Sequence, residues 1–102
     1  MICKKRPWVN KQTGEHGAQV WIFCPGCKIA HALEVENKER GAWQWNESDV
    51  VPSFSPSLLV TGGKFKCHSY ITNGNIRFLS DSTHELSGQT VPLPPFPEWL
   101  AE

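Results

Sequence analysis

The chain carries no net charge: ten Lys and Arg balance ten Asp and Glu across 102 residues. With no overall field, bulk electrostatics does not drive it onto nucleic acid or an anionic lipid surface, and only local patches remain for such contacts. It has no run of 18 apolar residues, and Lys4-Lys5-Arg6 is not followed by an apolar h-region, so neither a membrane span nor a secretory signal is visible. A soluble, cytoplasmic protein is expected. Internal repeats, low-complexity tracts and credible linkers are missing too, which leaves one domain over residues 1–102, with 1–7 and 95–102 as candidate mobile tails. A domain of this size buries only about two-thirds of the surface its unfolded chain exposes, so a staple is expected.

Cys24-Pro25-Gly26-Cys27 supplies half of one. Two thiolates two residues apart can grip one ion from a tight turn, and Pro-Gly provides the preset φ and the steric freedom of that turn. Cys67 is the natural third ligand, because Cys3 lies in the N-terminal tail. With no export signal, thiolates on zinc are favoured over disulfides or a redox CxxC.

Alternation predicts strands. Val20 and Ile22 fall on one face of residues 18–24 with Trp21 and Phe23 on the other, and Ile29, His31, Leu33 and Val35 share a face after the knuckle. Trp43 and Trp45 point to one side of a short strand. Residues 51–57, with Pro52 and Pro56, read as a loop or an edge, followed by a strand over 58–61. Asn73-Gly74 reads as the two-residue connection of a hairpin. Counting from it sets Thr72 against Asn75, Cys67 against Ser80 and Lys66 against Asp81. Cys67 and His68 then face opposite sides of one strand, so only one of them can reach a given ion. Ser82 and Glu85 are spaced as a capping box, predicting a short helical turn that returns His84 towards Cys67. The Pro-rich 92–97 segment is expected to be extended and polyproline-like. The fold class expected is mainly β, a small zinc-ribbon-like domain of antiparallel hairpins with little helix.

Phe23-x-Cys-Pro-Gly-Cys with His31, Gly41-x-Trp-x-Trp-Asn46, Pro52-Ser-Phe-Ser-Pro-Ser57, Cys67-His68 and Asp81-x-x-His84 together resemble a family of small phage and prophage proteins of unknown function. Some of its members are labelled ammonia monooxygenase, but thiolate ligands suit zinc better than an oxygenase metal. The resemblance spans about residues 20–93 and implies a phage setting and a bound metal. The family often has cysteine where this chain has Ser82.

The metal set expected is Cys24, Cys27, Cys67 and His84, with His31 as the alternative fourth ligand. His31, His68 and Asp81 form a second candidate cluster, which with His84 could serve a small metal-dependent hydrolase. Asp81 also has a simpler role as an ion-pair partner of Lys66. Trp43 and Trp45 could stack on bases in a single-stranded nucleic-acid module or simply fill the core. With no complete catalytic set recognised, the reading leans away from an enzyme. It expects a zinc-stabilised phage accessory protein that binds a host or phage macromolecule, first of all a protein, as an inhibitor or adaptor directed at bacterial defence.

Overall fold

Period-two alternation builds a first sheet at the N-terminal end. In the computed structural model, which describes residues 1–101, β1 (Cys3–Val9), β2 (His16–Cys24) and β3 (Ile29–Glu34) pair antiparallel in that order. Val20, Ile22, Cys24 and Leu33 are buried on the inner face. Trp21 lies on the outer face under the Arg6 guanidinium, 5.8 Å from its ring centre. Residues 1–7 are therefore no free tail. Cys3 pairs with Ile22 and shares its inward face, and the amides of Ile2 and Cys3 both donate to the Asp49 carbonyl.

The second sheet runs β4 (Gln44–Trp45), β5 (Phe54–Gly62), β6 (Phe65–Thr72), β7 (Asn75–Phe78) and β8 (Thr90–Pro92), antiparallel and in chain order. The Asn73-Gly74 turn forms with both residues at positive φ, 49° and 80°, and Thr72 stands opposite Asn75. Leu58, Cys67, Ile71, Ile76 and Phe78 point inward and join Val20, Ile22 and Leu33 in one core. The architecture is mainly antiparallel β, in two sheets.

Three local expectations change. Residues 51–57 are partly strand: β5 starts at Phe54, and Phe54 pairs with Ile71 while Leu58 pairs with Ser69, four steps on β5 (54 to 58) against two on β6 (71 to 69). The surplus is a bulge centred on Ser55-Pro56-Ser57, which lets the strand carry a residue that cannot donate to a ladder. No helical turn forms at 81–85, because the Ser82 hydroxyl accepts from the His68 amide and donates to the His68 carbonyl instead of capping a helix. The C-terminal segment is also anchored: Val91 pairs with Ile76, Leu93 and Phe96 are buried, and the Phe96 amide donates to the Met1 carbonyl ahead of the short helix α1 (Glu98–Ala101). Among the described residues, no helix is long and apolar enough to cross a membrane.

The end of the first sheet is held by one carboxylate. Glu34 accepts from Trp8 Nε1 at 2.6 Å and from the amides of Ala18, Glu36 and Asn37 at 3.0, 3.0 and 2.9 Å. Burial alone would raise its pKa, but these donors together hold it below the ordinary 4.5. The folded-state value is thus depressed, so this contribution to stability is complete above about pH 4.5 and is lost as pH falls through the folded value. Glu34→Ala, which strands four donors, should cost about 1–3 kcal/mol in a urea titration at pH 7. The gap from wild type should narrow as the buffer is taken below pH 4.5, and a gap that does not depend on pH would refute the role.

Candidate active site and metal centre

The two faces of β6 carry two different constellations, and the chain after β7 completes both. Once the β6–β7 ladder ends at Phe78, residues 79–84 stay alongside β6 by mixed bonds. The Leu79 amide donates to the His68 carbonyl, and the Thr83 amide donates to the Lys66 carbonyl. The Thr83 hydroxyl bonds both the amide and the carbonyl of Lys66, as Ser82 does at His68. Hydroxyls here stand in for strand backbone. The result sets Asp81 beside His68 on the outer face and His84 beside Cys67 on the inner one.

On the inner face, ligand atoms of Cys24, Cys27, Cys67 and His84 all lie within 4.8 Å of one another. Cys24 Sγ is 3.9 Å from Cys67 Sγ and accepts the Cys27 amide at 3.4 Å, the bond that closes the knuckle. All the cysteines are free thiols. His84 is fixed from two sides: its Nδ1 accepts from the Leu86 amide at 3.2 Å, and its ring meets Phe78 edge-on at 4.4 Å. That leaves Nε2 buried and without a hydrogen-bond partner. An unpartnered ring nitrogen buried beside three thiols is the kind of polar atom that a bound cation would satisfy.

The thiols divide their protons unequally. The hydrogen bond from Cys67 brings the Cys24 thiol down to about 4 against the opposing effect of burial, and His31 beside it lowers it further. Burial pushes Cys27 up to about 11, and the bond to Cys24 raises Cys67. A cluster in which one thiol is biased towards its thiolate and the others towards their thiols is one that a divalent ion would complete by displacing the remaining protons. A three-sulfur, one-nitrogen donor set suits tetrahedral zinc.

On the outer face, His68 lies between a hydroxyl and a carboxylate. Its Nε2 is 3.1 Å from Ser57 Oγ, and its Nδ1 is 3.1 Å from Asp81 Oδ2. The same Asp81 oxygen lies 3.9 Å from Lys66 Nζ, so the expected ion pair exists but is the longer contact. Leu59 stands opposite His68, and the β5 bulge brings Ser57 diagonally onto the same imidazole. Trp43 supports that turn by donating from Nε1 to the Ser57 carbonyl at 3.3 Å. Serine, imidazole and carboxylate in this order of contact are the arrangement that a nucleophile, a base and its orienting group require.

Of the residues expected to form one hydrolytic cluster, only His68 and Asp81 are in hydrogen-bond contact. His84 joins the thiols, while His31 sits buried on β3 with its Nε2 unpartnered. Among the described residues, His31, His68 and Asp81 make no second ligand group. Trp43 and Trp45 are half-buried against the core, and Trp45 stacks near Phe54 with ring centres 6.3 Å apart. The residue that sequence reasoning missed is Ser57. It stands in the Pro-Ser-Phe-Ser-Pro-Ser run, but only the bulge gives it a histidine partner.

A family model described as bacterial ubiquitination-like system serine protease (BubE) matches residues 2–79 of the chain. No curated protein and no solved structure matches it. The match overturns the expectation of an inhibitor or adaptor that acts by binding alone, since the family is described by an enzymatic activity.

Gly26 lies so near the His84 ring that a Cβ there would overlap all three of its nearest ring atoms. Gly26→Ala should push the imidazole off the thiols and lower the melting temperature by several degrees, from a packing cost of about 1–3 kcal/mol. A variant melting with wild type would show that His84 does not need this close approach.

Proposed function

Starting from the chain's membership of the bacterial ubiquitination-like system serine protease (BubE) family, we propose that it is itself a serine-type peptide hydrolase with Ser57 as nucleophile, His68 as general base and Asp81 as orienting carboxylate. The observation that carries the reading is the continuous contact Ser57 Oγ to His68 Nε2 and His68 Nδ1 to Asp81 Oδ2, with both steps at 3.1 Å. Ser57 Oγ attacks the scissile carbonyl as His68 Nε2 takes its proton. Asp81 fixes the tautomer at Nδ1 and stabilises the imidazolium. His68 then returns the proton to the leaving amine, and water repeats the sequence on the acyl-enzyme to release the acid and restore Ser57.

The triad lies on an open sheet face, with the Asp81 side chain 45% exposed. That placement suits an extended segment of a protein substrate more than a small molecule, so the partner is read as a protein. The thiol–imidazole cluster is read as a structural zinc site formed by Cys24, Cys27, Cys67 and His84. Its ligands adjoin the triad in sequence: Cys67 precedes His68, and His84 lies three residues beyond Asp81. Zinc held there would fix the two strand segments that present base and carboxylate, without touching the substrate.

Ser57→Ala and His68→Ala should abolish cleavage of a casein or peptide-pool substrate while keeping the wild-type melting temperature. Asp81→Asn should lower kcat by orders of magnitude, up to about 10⁴. Full activity in Ser57→Ala would refute the assignment. Elemental analysis should find one zinc per chain, and its removal by chelator should lower both the melting temperature and the activity. Activity that persists in zinc-free, fully folded protein would separate the two sites.

A further inference from the structure

Adjoining the triad on the same face of the second sheet is a concavity of about 560 Å³ lined by Tyr70, Thr72, Asn73, Asn75, Arg77 and Thr90. The register fixes its relation to the triad. Tyr70 is two residues beyond His68 on β6 and shares its face, Arg77 stands opposite Tyr70 on β7, and Thr90 stands opposite Arg77 on β8. The buried partners Ser69, Ile71, Ile76 and Phe78 point to the other side. Every lining side chain carries a hydrogen-bond donor, and none is acidic. Arg77 makes no ion pair or side-chain hydrogen bond among the described residues, although the chain's other triad-face cation, Lys66, is paired with Asp81.

A donor-rich, acid-free hollow around an unpaired guanidinium is complementary to a carboxylate, which Arg can grip through two parallel N–H groups. We propose that this concavity is a substrate subsite for a carboxylate, with Arg77 as the specificity-determining residue. The inference rests on the serine-hydrolase reading of Ser57, His68 and Asp81. Strands lie about 4.8 Å apart, so Arg77 on β7 is about 10 Å from the β5 serine across the sheet. Extended chain covers about 3.3 Å per residue, so the carboxylate belongs about three residues from the scissile bond. Tyr70, 45% exposed between the two, offers an apolar ring for the intervening residues. The carboxylate can come from an Asp or Glu side chain or from the end of the substrate chain.

Positional-scanning pools of octapeptides distinguish these sources when one set is acetylated and amidated, and a second has a free C-terminus and no internal acid. Wild type should cleave peptides with Asp or Glu at the matching position, or those with the free terminus, with kcat/KM about tenfold above their amide counterparts. Whichever set shows the preference names the source. Arg77→Glu should reverse it towards Lys and Arg. A charge preference absent at every position and at both termini, or one that survives Arg77→Glu, would overturn the subsite while leaving the triad intact. Failure of wild type to cleave any pool or to react with a fluorophosphonate would overturn the parent reading, and the subsite with it.

Discussion

The alternation of side chains along β6 is the constraint on which the other features depend. Because neighbours on a strand face opposite ways, Cys67 is delivered to the buried thiol cluster and His68 to the exposed face by the same short piece of backbone. A slip of one residue would exchange them, exposing a thiol and burying an imidazole against the core. The Asn73-Gly74 turn and the inward run of Cys67, Ser69 and Ile71 hold that register from both ends.

The segment leaving β7 doubles the effect. Ser82 and Thr83 bond to the backbone of His68 and Lys66 through their hydroxyls, so residues 79–84 track β6 without continuing the ladder. Asp81 and His84 are then set on the two sides of β6, one at the imidazole and one at the thiols. In a chain of 102 residues the core contributes only a narrow margin of stability. Two sheets whose inner faces meet around Cys24 and Cys67 have much to gain from a cation bound between them, and in the proposed reading that cation also steadies base and carboxylate. Substrate recognition, as proposed, uses the same outer face, where Tyr70 and Arg77 continue the row begun by His68.

Much of this is legible in the sequence alone. The knuckle, the Asn-Gly hairpin and the parity of Cys67 and His68 arise from local chemistry that acts within a few residues, and the antiparallel β architecture arises from alternation. The features that escape such reading depend on non-local bonds. The bulge at Ser55-Pro56-Ser57 exists because β5 and β6 must pair on both sides of a proline, and the sequence carries no mark of how many residues it absorbs. Ser57 therefore looks like loop material. Ser82 looks like a helix cap because its spacing to Glu85 fits one, but a strand neighbour 14 positions earlier offers a donor and an acceptor at once. The N-terminal residues look free because Lys4, Lys5 and Arg6 are charged, whereas Cys3 is the position that anchors them.

The central claim is that Ser57 is an activated nucleophile, and intact-mass spectrometry after treatment with a fluorophosphonate tests it most directly. The account predicts a single adduct per chain, mapped by proteolysis to Ser57 and absent from His68→Ala. An unmodified protein, or an adduct spread over several hydroxyls and indifferent to His68, would contradict it.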